Sequence, residues 1–145
     1  MKARNKNPLI LFFQWLHVII YSWSGGRWGT QLLAMPILIL QSIGRKSGKK
    51  RSRALTFATK KNDYFVVASN GGSDYHPNWW LNLKSNPNAT INVFGDEINV
   101  IAEELIGPQR LEIWKLFVAM EDRYLNYKKI SQRKIPVIRL APIRK

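Results

Sequence analysis

The chain contains no cysteine, which removes disulfides, thiolate metal sites and a cysteine nucleophile from consideration. Histidine is nearly as scarce: His17 and His76 stand far apart, so no histidine-based metal site is expected. Acidic residues are few, 9 against 23 Lys and Arg, and none precedes Asp63. No pair of carboxylates is therefore set up for acid–base work. Neither G-x-S-x-G, a Walker-A loop nor G-x-G-x-x-G occurs. Ser73, Asp74 and His76 fall in one short segment, but neighbours in a loop make poor evidence for a triad. Any redox or transfer chemistry must then come from a bound cofactor.

The formal charge of +14 points to an anionic partner. Nucleic acid, anionic lipid and an acidic small molecule all satisfy it. No helix-turn-helix or RNA-binding signature is present, which argues against nucleic acid. At 145 residues the chain has the length of one domain. The expected division is a basic tail and an amphipathic helix over residues 1–24 and a single folded domain over residues 25–145.

The first segment is almost continuously apolar from Pro8 to Ser24, with Gln14, His17 and Tyr21 as a narrow polar stripe. As a helix, Leu9–Trp23 would reach about 22 Å, short of the roughly 30 Å of hydrocarbon in a bilayer. Trp15, Tyr21 and Trp23 suit an interface, and Lys2, Arg4 and Lys6 suit anionic headgroups. The expectation is a cytoplasmic protein, with peripheral contact to the inner face of the membrane as a candidate. A helix packed on its own domain is the plainer alternative.

Beyond the Gly25–Gly29 break, short apolar runs alternate with turn signals. Strands are expected at Ile37–Ser42, Ala54–Thr59, Tyr64–Ser69, Thr90–Phe94, Glu97–Leu105 and Pro136–Leu140. Helices are expected at Asn78–Ser85 and Pro108–Asp122, the second burying Leu111, Trp114, Phe117 and Val118. Strands that do not alternate with helices predict a mainly β (α+β) fold. The expected architecture is an antiparallel sheet closing into a small barrel with helices outside.

Three stretches could carry chemistry. Gly44–Arg53 holds Arg45, Lys46, Lys49, Lys50, Arg51 and Arg53, with Ser47 as a hydroxyl donor and two glycines freeing the backbone. A solvated basic turn is the alternative. In Val67–Leu83 the strand ends at Ser69, and Asn70-Gly71-Gly72 permits close approach of a ligand to the backbone. A helix then begins at Asn78 with Trp79 and Trp80. Both tryptophans could equally be core. Tyr124 and Tyr127 would share a helix face and could orient a substrate or relay a proton, or simply pack.

In register, these pieces resemble the deazaflavin-dependent nitroreductase family, also described as coenzyme F-420-dependent quinone reductases. The matching residues are Ser24–Arg27, Gly44–Gly48 with Arg51, Val67–Ser69 with Gly71-Gly72, His76-Pro77 with Trp79, Asn82–Lys84 with Asn86-Pro87, and Tyr124, Tyr127, Arg133 and Ile135–Val137. The resemblance implies a split β-barrel of the flavin-binding type. It implies hydride transfer from a reduced deazaflavin with a phosphate and polyglutamate tail to a quinone, nitro compound or similar acceptor. FMN on the same barrel is the alternative cofactor. The resemblance assigns Arg45, Lys46 and Arg51 to the phosphate. It places Asn78 and Trp79 along the ring, and Ser69, Tyr124 and Tyr127 at the acceptor pocket. Where the family often has Lys, this chain has Asn70.

Overall fold

The computed structural model describes residues 31–32 and 35–144. The expected helix of residues 1–24 lies outside the described residues. The strands are β1 (Gln31–Leu32), β2 (Met35–Ile43), β3 (Lys50–Thr56), β4 (Ala58–Lys60), β5 (Asp63–Val67), β6 (Asn88–Val93), β7 (Asp96–Glu104) and β8 (Val137–Pro142). The helices are α1 (Asn78–Ser85), α2 (Gly107–Met120) and α3 (Arg123–Ile130).

The strands form one antiparallel sheet in the order β3-β2-β6-β7-β8-β5-β4, with β1 folded onto the start of β2. β3 and β4 are the two edges, yet only Phe57 separates them in sequence. The chain crosses there from one edge to the other, and Phe57 N–H donates to Pro36 O at 3.1 Å. That crossing curls the sheet into a half-barrel. The expected strand Ala54–Thr59 is therefore two strands, because alternation restarts once Phe57 turns into the core.

Two hairpins pin the register. Lys61 and Asn62 both have positive φ, at 49° and 67°, as do Phe94 and Gly95, at 53° and 96°. Positive φ at both central residues is the backbone of a type I′ turn, whose twist matches the flanking strands. The second turn thus centres on Phe94-Gly95, one residue before the Gly95-Asp96 expected.

Each face of the sheet has a core. The inner one gathers Leu38, Leu40, Val66, Ile91, Val100 and Leu140 beneath Trp79, Trp80 and Leu83 of α1. The outer one packs Phe65, Val67 and Val137 against Ile113, Trp114 and Phe117 of α2 and Tyr124 of α3. Leu111 corrects the expectation: it is 51% exposed, and Ile113 takes the buried place. The helix also stops at Met120, and the tyrosines ride on a separate helix, α3.

Candidate functional site

The basic turn after β2 is built around one hydroxyl. Gly44 N–H donates to Lys49 O and Gly48 N–H to Gly44 O, both at 2.8 Å, which folds residues 44–49 tightly. Gly48 sits at φ 67°, where a glycine costs least. Ser47 Oγ accepts from Lys49 N–H and from Arg51 Nη2, each at 3.2 Å. With its lone pairs engaged, its own O–H is free to donate outward. A Cβ on Gly44 would lie 2.7 Å from Ser47 Oγ, so only glycine permits this closeness. Arg45, Lys46, Lys49 and Arg51 are exposed around it. Among the described residues none of the four is ion-paired, and the first 62 residues contain no carboxylate that could pair with them.

The turn does not stand free in solvent. Asn82 Oδ1 accepts from the Arg45 backbone N–H at 3.1 Å and from Arg45 Nη1 at 3.0 Å. Asn82 is buried on α1 among Trp79, Trp80 and Leu83. One amide oxygen therefore couples the cationic turn to the tryptophan-bearing helix. Both tryptophans prove to be core, Trp79 7% exposed and Trp80 4%. Neither therefore offers an open ring face to a ligand. Asn78 is half-buried at the helix start.

The loop after β5 is held by a single guanidinium. Arg133 Nη2 donates to Ala68 O and Ser69 O at 3.0 Å, Nε to Ser73 O at 2.9 Å, and Nη1 bonds His76 Nδ1 at 3.2 Å. Arginine has no acceptor, so His76 Nδ1 must accept and its proton sits on Nε2. Burial, then the Arg133 and Lys84 charges, hold the imidazole below its usual 6.5 and so neutral near pH 7. Within the loop Asn70, Gly71 and Gly72 follow one another at φ 47°, 64° and 79°. Asn70 Nδ2 turns back to Tyr75 O at 3.0 Å. Gly72 packs against α3 so closely that a Cβ would meet Ile130 Cδ1 at 2.6 Å and Tyr127 Cδ1 at 3.3 Å.

Tyr124 and Tyr127 meet edge to face, centroids 5.7 Å apart, and Tyr124 packs the same way on Phe117 at 5.2 Å. Tyr124 is buried and its hydroxyl bonds Thr56 Oγ1 at 2.8 Å. Burial pushes the phenol above its usual value, so it keeps its proton at neutral pH. Tyr127 is half-buried and Ser69 likewise.

These contacts close a ring. The turn meets α1 through Asn82, and α1 follows the 69–76 loop in the chain. The loop meets α3 through Gly72, and α3 meets β3 through Thr56. β3 then returns to the turn over about 20 Å. Arg45, Lys46, Ser47 and Arg51 occupy one end of this rim. Ser69, Gly71, Tyr124 and Tyr127 occupy the other, with Asn78 and Trp79 between. Sequence reasoning missed Thr56 and the bridging part of Asn82. Asn82 left a signal: a polar residue in helical register with buried Trp79 and Leu83. Arg133 entered only as a matched position, and nothing in its neighbourhood announced a four-bond clamp.

Residues 14–142 match the protein family described as F420H(2)-dependent quinone reductase. The chain belongs to that family. It is 36% identical over 130 residues to an F420H(2)-dependent quinone reductase of Mycobacterium tuberculosis (strain ATCC 25618 / H37Rv), covering 87% of each chain. A solved F420-H2-dependent reductase, FDR-A, shares 36% identity at a TM-score of 0.67, covering 72% of this chain and 93% of that one. A putative pyridoxamine 5′-phosphate oxidase from Listeria innocua, at 17% identity and TM-score 0.52, covers 74% of this chain and 84% of that one. That last likeness speaks to the fold alone. The fold is thus the split barrel of flavin-binding proteins, and membership makes the chain a reductase. The family's cofactor is F420, and the FMN alternative gains no support.

Proposed function

We propose that this chain moves a hydride from reduced F420 to a quinone-like acceptor, and that the ring of contacts above is the site. The observation that carries the reading is the Arg45–Asn82 bridge. It fixes exposed cations and a serine hydroxyl beside the tryptophan-bearing helix α1. Arg45, Lys46, Ser47 and Arg51 hold the coenzyme's phosphate through charge-assisted bonds. Asn70 and Gly71 bring backbone close to the ring, and Asn78 at the start of α1 borders it, with the buried Trp79 supporting that end of the helix. The bound deazaflavin supplies the hydride chemistry.

The acceptor lies beside Ser69, Tyr124 and Tyr127. Tyr127 is the better placed phenol for a proton, since the Tyr124 hydroxyl is engaged with Thr56 and its ring is buried. Tyr124 then orients Tyr127 through their edge-to-face contact. The protein's own contribution is proximity and orientation rather than covalent chemistry. Nitro compounds fit the same electrophile class as quinones.

Stopped-flow oxidation of reduced F420 by a naphthoquinone tests the reading. Tyr127→Phe should lower kcat more than it raises KM, and Lys46→Ala should chiefly weaken coenzyme binding. Absence of turnover with both quinone and nitroaromatic acceptors would remove the assignment. We further propose that residues 1–24 place the site at an anionic membrane surface. Among the described residues no helix is long and apolar enough to cross a bilayer. Flotation with phosphatidylglycerol vesicles should be lost when Met1–Ser24 is deleted, with turnover of a soluble quinone retained.

A further inference from the structure

The outer face of the sheet is only partly covered. Helices α2 and α3 pack over it at β5 and the start of β8. Nearer the basic turn, on β2, β6 and β7, Gln41, Asn88, Asn99 and Ile101 are exposed instead. A groove of about 380 Å³ crosses the strands there, lined by Gln41, Ile43, Thr90 and Asn99, with Lys50 and Glu97 also on its wall.

The first unusual feature of this face is apolar. Nine large apolar side chains are exposed among the described residues, and seven of them sit on helices, loops or a turn. The other two, Ile101 at 46% and Ile143 at 47%, lie on this face. Ile143 N–H donates to Asn99 O at 2.9 Å, which sets it beside Asn99. Ile43 is half-buried on the same side of the sheet.

The second feature is ionic. Paired residues of neighbouring strands share a face. By that register the outer face from β3 to β8 carries Lys50, Glu97, Glu103 and Arg139 as its ionisable side chains. Arg139 pairs with Glu103 and with Asp63 of β5. Among the described residues Lys50 and Glu97 have no ion pair. They cannot meet within one chain. Lys50 shares a row with Ile43 and, across β6, with Asn88 and Ile101. Glu97 lies four residues from Ile101 along β7. Three strand spacings and four residues thus separate the two charges, about 20 Å along the sheet.

A twofold interface satisfies both at once. In an isologous dimer residue i meets j and j meets i, so one free cation and one free anion on a shared face pair twice. The axis that lays Lys50 over the partner's Glu97 follows the points equidistant from the two. Ile101 is such a point, about 14 Å from Lys50 across three strands and about 14 Å from Glu97 along one. It therefore meets its own copy, apolar against apolar. Gln41 and Asn88 fall beside the same line, and amides, which both donate and accept, suit self-pairing.

We propose that a second copy of this chain docks on the outer face of β2, β6 and β7 about a twofold axis, with Lys50 of each copy pairing with Glu97 of the other and the two Ile101 side chains meeting between them. This pairing requires neither the coenzyme nor the acceptor. Repulsion between two chains of charge +14 is largely screened beyond about 8 Å at physiological salt, so the contacts at the face decide the balance.

Sedimentation equilibrium of the full-length chain at physiological salt, over a wide range of concentration, tests the dimer. Wild type should show a monomer–dimer equilibrium. Lys50→Glu, Glu97→Lys and Ile101→Asp should each weaken association at least tenfold. All three side chains are exposed, so the fold should survive, and far-UV circular dichroism checks it. Lys50→Glu combined with Glu97→Lys restores the pair with its signs exchanged and should recover most of the loss. A carbodiimide, which joins an amine to a carboxylate in direct contact, should link Lys50 to Glu97. Mass spectrometry on mixed light and heavy chains should find that link between copies. A wild-type chain that stays monomeric overturns the proposal, as does association indifferent to the three single variants. A double variant no stronger than Lys50→Glu or Glu97→Lys alone overturns the pairing.

Discussion

Single atoms carry much of this site. Asn82 Oδ1 alone accepts both bonds that tie the turn to α1. Asn82→Leu keeps the volume but strips Arg45 of its acceptor. It should cost about 1–3 kcal/mol in urea unfolding and weaken F420 binding with little effect on the chemical step. His76 predicts a pH response whose direction follows from its lowered pKa. The unfolded chain, near 6.5, takes up the proton more readily than the folded one. Stability is therefore fully present above about pH 6.5 and declines as pH falls through that value. Protonation also replaces an acceptor for Arg133 with a second positive charge. Melting curves from pH 8 to pH 5 should show the decline, and His76→Gln, whose amide oxygen accepts at every pH, should flatten it. Gly72 is a third such point, since any side chain there meets Ile130 and must adopt φ 79°. Ile130 is exposed and can give way, so Gly72→Ala should cost about 1–2 kcal/mol, mostly from the backbone.

At the scale of elements, legibility followed periodicity. Helix α1 was readable because Asn86-Pro87 ends it and paired tryptophans open it. The apolar run of β2 and the last strand were readable for the same reason. The break at Phe57 was not, because its cause is tertiary: the chain leaves β2 to pair with β5, and no turn residue marks the place. Phe94 at positive φ was equally hidden, since the hairpin's twist imposes it against local preference. The basic turn could be located in the sequence but not its docking, which depends on an asparagine 37 residues away. Arg133 shows the same limit. It ties the 68–76 loop to the linker before β8 with four bonds across about 60 residues of chain. Arg133→Gln should leave the barrel folded but free the loop. Hydrogen exchange at Gly72 N–H, which donates to Ser69 O, should quicken by at least tenfold while β6 and β7 amides are unchanged.

At the scale of the molecule, charge and topology act together. A chain with a formal charge of +14 keeps its first 62 residues free of carboxylates, and the half-barrel gathers part of that charge at one end of β3. The tyrosines gather at the other end, and the sheet's crossing at Phe57 brings them there. In the proposed reading the coenzyme's phosphate lies at the cationic end and the acceptor beside the phenols. Fluorescence titration of F420 against wild type, Lys46→Ala and Arg51→Ala, at low and high salt, tests this most directly. The account predicts tight binding by wild type, a loss of about 1–3 kcal/mol in each variant and a shallower salt dependence in both. Equal affinity and equal salt dependence in all three proteins would contradict it.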